Sequence, residues 1–215
     1  MSWVLILKID GPMAKIYSGR ALETESMIDP LDYISNNLQA AIQYSASFGE
    51  IPQDHRFDRL RDGVASDPQL AYLYARDVIK KPWPEGESII LKSPQYACWY
   101  AKDVIKERWI KGEDVIFRSS DMVFTYTRDV IKGRFKRAEE ILSKHGWASY
   151  WYAKEVIGGV FSPGEPAIAN DAMAAYYYAK EIVGGRWVEC EPVMLKTPTW
   201  IYLYAKGILN RRWVS

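Results

Sequence analysis

The chain has 215 residues, 48% of them hydrophobic and 26% charged, which places it among soluble proteins able to bury a core. A net charge of +1 excludes any global pull toward nucleic acid or acidic membranes, and two cysteines, Cys98 and Cys190, exclude a disulfide framework and fit a reducing, cytosolic setting. The excess is aromatic, at 14% with 9 Trp and 15 Tyr, and those rings need a place in a fold or a role on a surface.

Two β-like runs in "WVLILKIDGPMAKIYSG" flank Asp10-Gly11-Pro12 and predict a hairpin. The leading run is short and carries Lys8, without the basic lead-in or small-residue cleavage site of a signal peptide, and no other stretch is apolar enough to span a bilayer. Asp29-Pro30 then opens an apolar-periodic helix predicted to run to about Ser47. The cluster "DHRFDRLRD" (Asp54–Asp62) reads as a solvated helix face. Phe48 and Phe57 precede Tyr74 and Trp83 by 26 residues, the trace of a degenerate leading repeat. Residues 1–65 carry a charge of −3 and residues 66–215 a charge of +4, a weak asymmetry. Together these features favour 1–65 as a mixed N-terminal cap region of hairpin plus helix, the alternative being a separate hairpin used for pairing.

From residue 66 the sequence repeats. Tyr74, Tyr100, Tyr126, Tyr152, Tyr178 and Tyr204 are each 26 apart, followed by a small residue and then a basic one. An aromatic column (Trp83, Trp109, Phe135, Phe161, Trp187, Trp213) and an acidic column (Glu87, Glu113, Glu139, Glu165, Glu191) keep the same interval. Each unit reads as two helices. Asp67, Ser93, Asp171 and Thr197 stand in the N-cap slot of the first, often with proline behind. That helix is predicted to end by positive φ near Gly133, Gly159 and Gly185. The second starts at Ser162-Pro163-Gly164-Glu165 in the fourth copy, with capping-box spacing, which gives the glutamates a structural task near the positive end of the dipole. A single pair cannot bury its apolar face, so stacking follows. The expected fold is all-α: an α-solenoid of six 26-residue two-helix repeats over 66–215, behind the mixed cap of 1–65.

The phrases "YAKDVIKERW…GE" and "TRDVIKGRF" resemble the short two-helix tandem-repeat proteins of tailed bacteriophages, over roughly residues 66–215. The resemblance implies a phage origin and action in the cytoplasm of a bacterial host. It implies no shared activity and no catalytic residue.

Winding the first helix at 100° per residue puts Leu70, Ala71, Tyr72, Tyr74, Ala75, Val78 and Ile79 inside. On the opposite arc the slot of Leu73 holds Trp99, Thr125, Trp151, Tyr177 and Leu203 in later copies, and the neighbouring slot of Gln69 holds Trp147 and Met173. Stacking would align Trp99, Trp147, Trp151, Met173 and Tyr177 into a partner-binding stripe flanked by Lys102, Arg128, Lys154 and Lys180. The alternative has the rings flat between helices, with the basic column neutralised by Asp77, Asp103, Asp129, Glu155 and Glu181. A turn arginine column (Arg108, Arg134, Arg186, Arg212) suits helix ends or the glutamates.

Catalytic signatures are absent. His145 occupies a helix-start slot and His55 an irregular charged segment. No Cys/His spacing matches zinc, and no phosphate-cradling or nucleophile-elbow motif occurs. No enzyme activity, metal or cofactor is expected. The sequence favours a protein-binding scaffold, a phage factor engaging and inhibiting a host protein such as a defence component. A nucleic-acid-binding helical repeat and a sequestering receptor for a small nucleotide-like ligand are the alternatives.

Overall fold

The computed structural model describes residues 6–10, 13–17 and 29–209. Near the N-terminus β1 (Ile6–Asp10) pairs antiparallel with β2 (Met13–Tyr17), Ile6 opposite Tyr17 and Asp10 opposite Met13. Gly11 and Pro12 of the expected turn lie outside the described residues, as do Arg212 and Trp213 of the last copy. The class is all-α, and every element from Pro30 onward is a helix. No helix among the described residues is long and apolar enough to cross a membrane. The chain divides into two compact units between Ile90 and Leu91.

In the first unit the helix expected over 29–47 is broken. It forms α1 (Pro30–Asn36) and α2 (Leu38–Ala46), because Asn37 is extended and its side chain accepts from the Ala40 N–H, capping the second piece while ending the first. The Asp54–Asp62 cluster is more than a wetted face. Arg56 holds Asp54, Asp29 and Asp32 together, and Arg61 bonds the Pro52 carbonyl and Asp58. Behind these charges Phe57 and Leu60 of the following turn and α3 (Asp58–Val64) are buried. They share a core with Ala41, Ile42 and Val78, against which Leu70, Leu73, Tyr74 and Trp83 pack. The first 26-residue copy, with α4 (Pro68–Leu73) and α5 (Glu87–Ile90), thus shares a core with the segment before it.

In the second unit the pairs are α6 (Pro94–Tyr100) with α7 (Ile110–Ile116), α8 (Ser120–Tyr126) with α9 (Lys136–Leu142), α10 (Gly146–Tyr152) with α11 (Glu165–Ala169), and α12 (Ala172–Tyr178) with α13 (Glu191–Met194). The last is α14 (Pro198–Gly207). The first helices pack in succession, α6 on α8, α8 on α10, α10 on α12, and α12 on α14. Close approach is possible because the residue after each tyrosine is small. Ala101, Thr127, Ala153 and Ala179 are fully buried, and Thr127 satisfies its hydroxyl on the Val123 carbonyl at 2.7 Å.

Within the second unit one bond pattern locks each copy to the next. The N–H of Trp109, Phe135, Phe161 and Trp187 donates to the hydroxyl of Tyr126, Tyr152, Tyr178 and Tyr204, at 2.8, 3.1, 3.0 and 2.7 Å. Tyr152 and Tyr178 donate onward to Glu139 (2.9 Å) and Glu165 (3.1 Å), while Tyr204 donates to the Trp187 carbonyl. Arg108, Arg134 and Arg186 clamp Glu113, Glu139 and Glu191 through two nitrogens each. The glutamates do sit in the first turn of the second helix, but their partners are tyrosine and arginine side chains. The capping box does not form, since Ser162 lies inside a 3₁₀ turn (Ser162–Gly164) with no side-chain cap before it. Burial pushes all four tyrosines up to about 12, so their hydroxyls stay protonated as donors.

Capping of the first helices is likewise uneven. Asp67 and Asp171 accept backbone N–H groups, whereas Ser93, His145 and Thr197 make no side-chain cap. Thr197 donates instead to the Val193 carbonyl of the preceding helix. The helix ends also differ from expectation. Each first helix of the first five copies widens into a π turn closed by an N–H bond five residues back, from Lys80, Lys106, Lys132, Gly158 and Gly184. Those residues carry the positive φ, one position before Gly133, Gly159 and Gly185. Three lysines therefore occupy a conformation that costs an L-residue about 1 kcal/mol. Lys132→Gly should stabilise the protein by up to about 1 kcal/mol, and Gly158→Ala should cost about as much, both read as shifts in the urea midpoint.

Gly146 makes the opposite point. It opens α10 where other copies have Pro68, Pro94 or Pro198, yet a Cβ there would lie 2.7 Å from the Ala167 carbonyl oxygen and 2.9 Å from the Asp171 Cβ. Gly146→Pro, an exchange normally welcome at a helix start, should cost about 1–3 kcal/mol in chemical denaturation.

Candidate binding surface

The first helices of copies three to six carry the aromatic arc. Trp147 and Trp151, one turn apart on α10, meet edge to face at 5.7 Å. Tyr177 of α12 packs on Trp147 at 6.0 Å and on Trp200 of α14 at 6.1 Å. Tyr150 and Tyr176 join the same group, at 5.2 Å from Trp151 and 5.6 Å from Trp200. Trp147, Trp151 and Tyr177 are half-buried, neither sealed in the interior nor fully wet. Met173 is exposed. Trp99, also half-buried, packs edge to face on Tyr96 at 5.5 Å. Three of the five expected stripe residues, Trp147, Trp151 and Tyr177, thus form one ring cluster. Tyr150, Tyr176 and Trp200 complete the cluster. They sit in slots that a helical wheel assigns to the core, so position alone could not have found them.

The four basic residues are bound to the protein itself. Lys102 reaches Asp129 of the next copy (2.9 Å), Arg128 reaches Glu155 (3.1 Å), and Lys154 reaches Glu181 (2.8 Å), each 27 residues on. Arg128 also grips its neighbour Asp129 through two nitrogens. Cation–π contacts add to this, Arg128 over Phe124 at 5.1 Å, Lys154 over Trp151 at 5.0 Å and Lys180 over Tyr176 at 5.7 Å. Asp129 is pulled down to about 2, first by Arg128 and then by Lys102. Glu181 is lowered by Lys154 and Tyr150, and Lys102 and Lys154 are raised by their carboxylate partners.

A carboxylate whose pKa falls on folding contributes stability above its unfolded value, near 4, and loses it as pH drops through the folded one. The ladder should therefore weaken between pH about 4 and about 2. In urea titrations across that range, Asp129→Asn should flatten part of the decline while lowering stability at neutral pH.

One cleft of about 260 Å³ opens between α8 and α10, lined by Asp121, Phe124, Thr125, Arg128, Trp147, Ala148, Trp151 and Glu155. Its walls are aromatic and its rim charged. Both cysteines are buried, and desolvation pushes Cys98 up to about 12 and Cys190 up to about 11, far from thiolate reactivity at neutral pH. Among the described residues no cluster of three or more His, Cys, Asp or Glu could hold a metal ion. Compared with known proteins, the chain matches no family model, no curated protein and no solved structure.

Proposed function

We propose that the chain is a non-enzymatic protein-binding scaffold, a phage factor that engages and inhibits a host protein in the bacterial cytoplasm. Its six 26-residue pairs would form an α-solenoid with residues 1–65 as a mixed cap. The observation that carries the reading is the half-buried ring cluster of Trp147, Trp151, Tyr177 and Trp200, held rigid by ring-on-ring contacts and left partly open to solvent. Large pre-ordered rings at low entropic cost are what binding hot spots are made of. The resemblance of the repeat phrases to phage tandem-repeat proteins supports the choice of host. The recurring tyrosines join copies and the recurring arginines and glutamates clamp one another, which leaves the non-recurring rings to carry specificity.

The nucleic-acid reading loses support from the same geometry. A phosphate-binding ladder needs free cations, and Lys102, Arg128 and Lys154 are each matched by a carboxylate at 2.8–3.1 Å.

The test is capture from bacterial lysate on the immobilised full-length chain. The scaffold reading expects one stoichiometric protein, lost with Trp151→Ala at unchanged circular dichroism, whose own activity falls when the wild-type chain is added back. No captured protein, or one indifferent to Trp151→Ala, would refute the reading. A salt-dependent gel shift with DNA would instead revive the nucleic-acid alternative.

A further inference from the structure

The repeat itself explains why a cleft exists at this point of the aromatic arc. The slot that holds Trp99, Trp151 and Tyr177 in neighbouring copies holds Thr125 in the third. Thr125 is small, and its hydroxyl turns back to the Asp121 carbonyl at 2.9 Å. The space a ring would have filled is left between Phe124 and the pair Trp147 and Trp151. The gap has aromatic walls, and a planar group would complete it.

Its electrostatics select the sign of that group. The cleft is lined by Arg128, Asp121 and Glu155, one cation against two carboxylates, with the Lys102–Asp129 and Lys154–Glu181 pairs beside it. Every cation has a partner, whether Lys102 with Asp129, Arg128 with Asp129 and Glu155, or Lys154 with Glu181. The carboxylate left over is Asp121, exposed at the mouth of the cleft and in no ion pair with a described residue. A planar cation that stacks on indole faces and pairs with a carboxylate is a guanidinium.

We propose that the cleft between α8 and α10 receives an arginine side chain of the partner protein, its guanidinium stacked on Trp147 and paired with Asp121. The inference deepens the scaffold reading and rests on it for the claim that the arginine belongs to a protein. The chemistry of the cleft can be tested without the partner. Titration of the ¹⁵N-labelled full-length chain with an acetylated, amidated Gly-Arg-Gly peptide should move the indole N–H signals of Trp147 and Trp151. The matching citrulline peptide, planar but neutral, should leave them in place. Asp121→Asn should weaken the arginine response about threefold to tenfold. Thr125→Trp, which restores the residue type of the neighbouring copies and so keeps the fold, should abolish it.

Equal responses to arginine and citrulline, a response that survives Thr125→Trp, or a preference for adenosine monophosphate over the arginine peptide would each overturn the proposal. The two readings fail separately. A protein captured through Trp151 but indifferent to Thr125→Trp and Asp121→Asn refutes the arginine cleft and spares the scaffold. An arginine response with no captured protein does the reverse.

Discussion

Tyr126→Ala should be among the most damaging single substitutions in the chain, costing at least about 3–5 kcal/mol for the buried ring alone. That is a large share of the 5–15 kcal/mol typical of a folded domain. Tyr126 is completely buried, and its hydroxyl accepts the backbone N–H of Trp109, itself nearly buried. Glu113, 1% exposed, lies 3.5 Å from the same oxygen and is held by Arg108 of its own copy and Arg137 of the next. Tyr126→Phe isolates the oxygen. It keeps the ring but strands the Trp109 N–H where water does not reach, a loss of about 1–3 kcal/mol. Urea denaturation of both variants measures the two contributions. A Phe variant within about 0.5 kcal/mol of the parent, the scatter of ordinary surface changes, would show that the hydroxyl is dispensable. Because the bond recurs, Tyr152→Phe and Tyr178→Phe should repeat the loss at their own positions.

The second large effect is on binding. Trp151→Ala should lower the affinity for the protein partner by about 30-fold to 1,000-fold, the range of an aromatic hot spot worth about 2–4 kcal/mol. Trp151 stands where the cleft, the ring cluster and Lys154 meet, with Trp147 at 5.7 Å, Tyr150 at 5.2 Å and the Lys154 ammonium over its face at 5.0 Å. Its removal opens the cleft and frees the neighbouring indole. Half-burial implies a stability cost of about 2 kcal/mol as well, so the affinity must be measured well below the melting transition of the variant. Trp99→Ala is the internal control. Trp99 occupies the same slot two copies earlier but packs on Tyr96, and its loss should leave affinity within about threefold. Equal losses from both tryptophans would mean that the slot matters and the cluster does not.

The sequence by itself determined the helical class, the 26-residue interval and the identity of each recurring slot. A tandem stack repeats its packing surface, and small residues such as Ala101 and Ala153 or rings such as Tyr152 must return wherever that surface does. Recurrence also favoured structural roles for the glutamates and turn arginines, because a role needed in every copy belongs to the packing between copies. The tertiary structure decided the partners. Bonds that span 17 residues, from Trp109 to Tyr126, and ion pairs that span 27, from Lys102 to Asp129, depend on how one pair tilts against the next. A wheel drawn for a single helix has no such coordinate. The π turns add to this, since the positive φ that closes them falls at Lys132 and Gly158, where glycine spacing pointed one position later. The same limit hid the cleft. Thr125 reads as an unremarkable polar residue until Trp147 and Trp151 are placed beside it, and only packing across copies turns a small side chain into a vacancy with walls.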